Sequence, residues 1–243
     1  MPDPIPDRIL ILTGAGISAE SGVATFRDNG GLWERHRVED VATPEAFARD
    51  PALVQRFYNA RRAALDSVQP NAAHLALARL QRGLRARGGD AVIVTQNVDD
   101  LHERGTPDCA GAMDVIHMHG ELRRGLCGVC GFRWTVDGEL SPDMRCPACH
   151  TPGGPRPDIV WFGEMPYQME RIEAELSRAT QFVSIGTSGA VYPAAGFVQM
   201  AGSLGLPTLE INLEPSLGSA SFDETRHGPA GTLVPAWVDE VLS

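Results

Sequence analysis

Apolar residues in this chain fall into short unbroken runs separated by stretches of helical period, the alternation expected of a parallel sheet wrapped by helices. The first run, Arg8 to Leu12, predicts a strand. Ala91-Val92-Ile93-Val94-Thr95 predicts a second, continuous as a strand buried on both faces should be, and Asp114 to Met118 is a shorter candidate. Further strands are predicted at Asp158 to Phe162, Phe182 to Gly186 and Thr208 to Leu213. Among the helices, Asp50-Pro51 supplies an N-cap and a first-turn proline, with Leu53, Phe57, Ala60 and Ala64 recurring behind it. Asn71 caps another, whose face carries Ala73, Leu77, Leu80 and Leu84. Met169 to Ala179, Pro193 to Leu204 and Ala236 to Leu242 complete the helical set. The pattern breaks between Glu121 and Pro157, where cysteine, glycine and proline accumulate; that texture predicts an inserted module.

Composition narrows the class. With 243 residues, 43% hydrophobic and 21% charged, the chain can bury one good core, with or without a small insertion. It contains no apolar run of about 18 residues, so no membrane partner is expected. Met1 to Asp7 lacks a basic n-region and an apolar h-region, so no signal peptide is visible and a cytoplasmic location is expected. A net charge of −10 has the wrong sign for a binder of phosphate backbones, so no direct nucleic-acid partner is expected. All 21 basic residues are arginine. The missing lysine excludes a P-loop and leaves no side chain open to lysine acylation.

The chemistry begins after the first strand. Gly14-Ala15-Gly16-Ile17-Ser18-Ala19-Glu20-Ser21-Gly22 turns from that strand into a short helix, the place where a Rossmann-type unit offers backbone N–H groups to a pyrophosphate. The ordinary dehydrogenase version needs an acid about 20 residues later, at the end of a second strand. Here Thr25 to Gly31 read as loop, so the segment predicts a nucleotide and argues against a dehydrogenase. Gln96-Asn97-Val98-Asp99 follows the buried strand at its carboxyl end; it suits ribose hydroxyls and a carboxamide, or a simple helix cap. His117 and His119, on an extended segment, would face one side, and the histidine beside Gly120 is a candidate acid–base group. Gly186-Thr187-Ser188 and Asn212-Leu213-Glu214 end later strands, which makes Glu214 a candidate for the missing ribose acid. No G-x-S-x-G elbow or activated cysteine is visible, so the pattern fits two substrates reacting with each other.

Cys127-x-x-Cys130 and Cys146-x-x-Cys149 match the spacing of a four-cysteine zinc site. Four thiolates close the coordination sphere, so the expected zinc is structural, with two disulfides as the weaker alternative. Cys109 is left over as a small buried or loop residue.

Taken with Phe26-Arg27, His119-Gly120 and Trp161-Phe162-Gly163-Glu164, these motifs occur in sirtuin order over nearly the whole chain, which resembles the sirtuin family of NAD-dependent protein-lysine deacylases. The resemblance implies an α/β fold with a large Rossmann-like parallel-sheet domain at about 1–34, 72–120 and 158–243. A small domain would combine a helical insertion at about 35–71 and a zinc-ribbon module at about 121–157, the two domains making one catalytic unit.

The resemblance also assigns residues. NAD would be lined by Gly14, Ala15, Gly16, Ile17, Ser18, Glu20, Phe26, Arg27, Trp33, Gln96, Asn97, Val98 and Asp99. Gly186, Thr187, Ser188, Asn212, Leu213, Glu214 and Ala230 would complete that lining. His119 corresponds to the general base, with Asn97 and Asp99 in the catalytic set, while His117 takes a structural place. Trp161, Phe162, Gly163 and Glu164 are similar to the strand that pairs with substrate backbone. In the family reaction the acyl oxygen attacks C1′ of the nicotinamide ribose and nicotinamide leaves; a ribose hydroxyl activated by His119 then attacks the resulting imidate, and water releases free lysine and O-acyl-ADP-ribose. Acyl-lysine proteins or peptides are therefore the expected partners, NAD the co-substrate and one zinc ion the structural metal.

Tyr58-x-x-Arg61 shares one helical face, and within the family it resembles the subgroup that removes succinyl and malonyl groups. Ala42 is similar to the small residue that leaves that pocket roomy. Desuccinylation and demalonylation are expected, with deacetylation alongside. The alternatives are an NAD-dependent ADP-ribosyltransferase, a non-enzymatic zinc-ribbon interaction module and, third, a hydride-transferring oxidoreductase.

Overall fold

The computed structural model describes residues 8–23, 32–33, 36–106 and 113–243, with Leu32 and Trp33 described in backbone alone. The chain runs β1 (Arg8–Thr13), α1 (Ala15–Ala19), β2 (Leu32–Trp33), β3 (His36–Arg37), α2 (Val38–Val41), α3 (Pro44–Arg49), α4 (Pro51–Ala64) and α5 (Ala72–Arg85). It continues through β4 (Asp90–Thr95), α6 (Leu101–Arg104), β5 (Val115–His117), β6 (Gly120–Cys127), β7 (Arg133–Thr135) and β8 (Pro155–Ile159). The last elements are α7 (Met169–Arg178), β9 (Gln181–Ile185), α8 (Phe197–Ser203), β10 (Thr208–Asn212), β11 (Glu224–His227) and α9 (Ala230–Leu242).

Six parallel strands form the main sheet in the order β11-β10-β9-β1-β4-β5. Renumbered within the sheet this is 6-5-4-1-2-3, the Rossmann order read backwards, with its switch point between β1 and β9. Because side chains alternate across a strand, Ile9 and Ile11 face Leu77, Leu80 and Trp237 of α5 and α9, while Leu10 and Leu12 face Leu176 and Phe197 of α7 and α8. Both faces are thus covered, as a parallel sheet requires. Each fully buried leucine or isoleucine contributes about 1.5–3 kcal/mol.

A three-stranded antiparallel sheet, β7-β6-β8, forms the small domain with α2–α4. Leu122 of β6 and Ile159 of β8 share a core with Val54, Phe57 and Tyr58 of α4. A polar stripe on α4 stitches the two parts together. Gln55 donates to Pro155 O at 3.0 Å, Asn59 to Leu140 O at 2.8 Å, and Arg62 to Leu122 O at 2.6 Å.

Three predicted elements change by more than a single residue at one end. The strand expected over Asp158 to Phe162 is Pro155–Ile159 and belongs to the small sheet; Trp161 to Glu164 leave it through a turn. Pro155 and Pro157 lack N–H groups, and an edge strand is where a sheet tolerates that. The last helix begins at Ala230 and carries Pro235 in its interior, instead of starting after it. The helix expected from Pro193 opens with a 3₁₀ turn, Ala194–Gly196, before α8.

Glycines make the switch point possible. A Cβ on Gly14 would lie 2.8 Å from Gly186 O, and one on Gly16 would lie 2.7 Å from Gly186 Cα. Gly186 itself has φ +64, and a Cβ there would stand 2.4 Å from Ile17 N. Gly186→Ala therefore combines a left-handed backbone with a backbone clash, and is expected to destabilise the fold by about 3 kcal/mol. Chemical denaturation checks this; an unchanged midpoint would contradict the contact.

Candidate active site

Four strand ends converge at the switch point. Gly14 N–H donates to Ile185 O (3.0 Å) and Gly16 N–H to Gly186 O (2.9 Å), locking the loops after β1 and β9 together. The segment after β4 is the plank between them. Gln96 N–H donates to Thr13 O (2.9 Å), and Asn97 Nδ2 donates to Gly14 O and to Ser18 Oγ, each at 3.1 Å. Ser18 in turn donates to Asp99 Oδ2 (3.1 Å), and Asp99 Oδ1 accepts from Leu101 N–H (3.2 Å). Asn97, Ser18 and Asp99 are all buried, so these bonds form in a low dielectric where they are strong. Burial pushes the Asp99 carboxyl up from its ordinary value, against the bonds from Leu101 and Ser18 and the charge of His117.

The loops after β9 and β10 close the other side. Thr187 Oγ1 lies 2.9 Å from Ser184 Oγ, and Asn212 Nδ2 donates to Thr187 O (2.8 Å). Leu213 and Glu214 are exposed beside them. Glu20 accepts from Gly231 N–H at 2.8 Å, so its carboxylate meets the first turn of α9 next to Ala230. Phe26 and Arg27 lie outside the described residues, as do Cys109 and the Trp33 side chain.

His119 is not on the extended segment that the pattern suggests. β5 ends at His117, and His119 sits in the turn before β6, so the two rings do not share a strand face. Its Nδ1–H donates to Gln96 O (3.1 Å), the assignment an acceptor-only carbonyl demands. That leaves Nε2 without a proton. Burial lowers the His119 pKa, against the raising effect of the Gln96 bond, so the ring is neutral at pH 7. His119 O accepts from Val160 N–H (2.9 Å), and Gly120, with φ +84, lets β6 approach Asp158 where a Cβ would be 2.0 Å from its carbonyl.

Beyond His119 a second wall forms around Trp161. Its Nε1–H donates to Tyr58 Oη (3.0 Å), and Phe162 N–H donates to Ala42 O (3.0 Å). Tyr58 and Arg61 are buried on one face of α4, and burial pushes the Tyr58 hydroxyl well up. Glu164 is held by two bonds from Arg156, at 2.7 and 2.9 Å, and by Trp161 N–H at 2.8 Å. Burial raises the Glu164 pKa, but those bonds outweigh it and the net shift is downward. Arg156 also lies over the Trp161 ring, 3.5 Å from its centroid. Sequence reasoning missed Arg156, because an arginine between two prolines carries no local signal of a partner eight residues on. His74 was missed too; it stands 3.5 Å from Ser18 Oγ at the start of α5, where Asn71 caps the helix as predicted.

The four module cysteines gather at one point. Their sulfurs all lie within 4.8 Å of one another, with Cys127–Cys149 and Cys130–Cys146 at 3.7 Å. A disulfide needs about 2.05 Å. A tetrahedron with Zn–S of about 2.3 Å has edges near 3.8 Å, so the sulfurs fit zinc. The two knuckles match each other: Gly131 N–H returns to Cys127 O (2.9 Å) and His150 N–H to Cys146 O (3.0 Å), both from left-handed residues. Among the described residues no helix is long and apolar enough to cross a membrane.

The chain is similar to known proteins over nearly its full length. A Caulobacter vibrioides protein named NAD-dependent protein deacylase is 56% identical over 236 residues, covering 97% of each chain. A protein of the same name from Escherichia coli K12 is 55% identical, covering 97% of this chain and 82% of its own. A solved Sir2 homolog–NAD complex superposes with a TM-score of 0.86 at 38% identity, covering 98% of this chain and 91% of that one. A structure of Sir2 bound to acetylated peptide superposes with a TM-score of 0.79 at 26% identity, covering 97% and 93%. The profile of the Sir2 family matches residues 14–193, and with relatives this similar over nearly its full length, the chain belongs to that family.

Proposed function

We propose that this protein is an NAD-dependent protein-lysine deacylase that removes succinyl and malonyl groups, and acetyl groups as well. The observation that carries the chemistry is the place of His119, a neutral imidazole bound through Nδ1 to the Gln96 loop and set between the glycine switch point and the Trp161 wall. NAD supplies an electrophilic ribose carbon when bound. The packing of Gly14 and Gly16 on Gly186, too close for any Cβ, brings the loops after β1 and β9 together at the switch point of the sheet, and that supports a dinucleotide site there.

The chain's own residues divide the remaining work. Asn97 and Asp99 hold the Gly14–Ser18 turn through the bonds to Gly14 O and Ser18 Oγ. Nε2 of His119 is the group placed to take a proton from a ribose hydroxyl. Asn212 and Glu214, at the end of β10, are the candidates for the remaining ribose contacts. Trp161 to Glu164 line the approach of substrate backbone, and the relative bound to acetylated peptide supports acyl-lysine peptides as the partner class. The Cys127, Cys130, Cys146 and Cys149 thiolates hold a structural zinc with no open position for water. We infer that the large unit comprises about 1–34, 72–119 and 160–243 and the small one about 35–71 and 120–159, since β6 and β8 belong whole to the small sheet. We infer a cytoplasmic enzyme, and its net charge of −10 argues against direct binding of nucleic-acid backbones.

Arg61 supports the acyl preference. Neighbouring Arg62 serves structure, bonded to Leu122 O, Asn59 Oδ1 and Gly138 O. Arg61 is also buried, at 7% exposure, with its guanidinium 5.8 Å from the Phe57 ring centroid and its charge felt at Tyr58. A guanidinium beside a buried phenol suits a carboxylate, which it can bind through two parallel hydrogen bonds. Arg61→Met is expected to lower kcat/KM on succinyl-lysine peptides by at least about tenfold while sparing acetyl-lysine, the loss of a charge-assisted contact. Equal loss on both peptides would sink the acyl assignment.

A further inference from the structure

His117 and His119 each turn Nδ1 to a carbonyl of the same loop, His119 to Gln96 at 3.1 Å and His117 to Asn97 at 3.4 Å. They differ at the other nitrogen. Nε2 of His117 lies 2.8 Å from Oε1 of Glu103 on α6, whereas no such partner faces Nε2 of His119 among the described residues. Both groups facing His117 are acceptors. The Asn97 carbonyl has no proton to give, and the Glu103 carboxylate, with its side chain 45% exposed, faces Nε2 as an acceptor. A neutral imidazole has one N–H and can satisfy one of them; an imidazolium satisfies both.

We propose that His117 is a positioning residue for the deacylation, held as an imidazolium that ties the Asn97–Asp99 loop to α6. In its activity arm this rests on the deacylase reading above. The surroundings favour the charge. Burial opposes it, but the Glu103 bond and charge, Glu121 on β6 and the Asn97 carbonyl outweigh burial and raise the His117 pKa. On the loop side stands Asp99, whose buried carboxylate is stabilised by the His117 charge and holds Ser18. On α6, His102 is kept neutral by full burial and by the neighbouring His74 and His117. Loss of the His117 proton therefore releases one grip on the loop and removes a counter-charge from Asp99.

The sign follows directly. The proton is present below the raised pKa and is lost as pH rises through it, so His117 sets an alkaline limb of activity, while His119 sets an acid limb. The test uses the full chain with ¹⁵N-labelled histidine, the His117 resonance being identified from His117→Gln. His117 is expected to titrate above the ordinary value of about 6.5, and Glu103→Gln to lower that pKa. In kcat/KM against pH on acyl-lysine peptides, Glu103→Gln is expected to move the alkaline limb to lower pH. His117→Gln is expected to remove that limb, with about a tenfold loss at neutral pH and the acid limb unmoved. A His117 titration at or below 6.5 in the unmodified protein, or one unchanged in Glu103→Gln, overturns the proposal. So does an alkaline limb that persists in His117→Gln. A raised titration in a protein that turns over no acyl peptide overturns the deacylase reading alone.

Discussion

His119→Ala is expected to reduce NAD-dependent deacylation by roughly 10²–10⁴-fold, the range that a positioned general base contributes. The expectation comes from the tautomer. With Nδ1–H given to Gln96 O, the ring offers an unprotonated Nε2, and burial keeps it so at neutral pH. The loss should fall on kcat more than on KM, because Asn97, Ser18 and Gly186 hold the proposed nucleotide cradle through bonds to one another and to Gly14 and Gly16, and the imidazole adds only its contact with Gln96 O. The pH dependence has a fixed direction. A base whose pKa is depressed is active above that value, so the acid limb should lie below the ordinary histidine value of about 6.5 and vanish in the alanine variant. Steady-state kinetics across pH 5–9 check both points. Undiminished turnover in His119→Ala would remove the assignment.

Loss of the metal should have an effect as large, and of a different kind. Structural zinc binds zinc-finger peptides with roughly 10–16 kcal/mol of apparent free energy at pH 7, comparable with the whole stability of about 5–15 kcal/mol for a typical domain. Cys127 ends β6, the strand that begins at Gly120 beside His119, and Leu122 in that strand packs on the core of α4. Releasing the four sulfurs therefore loosens the strand that fixes His119 and the wall that holds Tyr58. Cys146→Ser is expected to lose zinc, lower the thermal midpoint sharply and abolish deacylation, with no separate effect on the chemistry. Elemental analysis of the unmodified protein should give one zinc per chain. A Cys146→Ser protein that keeps its melting temperature and activity would contradict a closed tetrathiolate.

What the sequence made legible is local. Asp50 and Asn71 cap the helices they announce, accepting from Leu53 and Ala73 N–H, and the strand after Asp90 is unbroken because both its faces are buried. The cysteine pairs needed no fold to be recognised, since their spacing is itself the chemistry. The misses are tertiary. Gly14 and Gly16 suggest a phosphate, yet the closest demand on them comes from Gly186, far along the chain. Gln55, Asn59 and Arg62 carry no local sign of burial, yet they are buried on α4 and donate to backbone carbonyls of the sheet and zinc module. Strand β11, Glu-Thr-Arg-His, has no apolar residue to betray it, because an edge strand can be built from polar ones. The two histidines show the limit most sharply. Alternation predicts one face for both, and the turn at Met118–His119 gives each ring a different second neighbour and hence a different charge.

In the proposed reaction NAD is consumed in transferring an acyl group from lysine. Incubating the purified protein with acetyl-, succinyl- and malonyl-lysine peptides, with and without NAD, and following the products by mass spectrometry tests it most directly. O-acyl-ADP-ribose, nicotinamide and free-lysine peptide are expected in equal amounts, only with NAD present and with the acidic acyl groups included. Absence of O-acyl-ADP-ribose for every acyl group, or ADP-ribose appearing on the peptide instead, would contradict it.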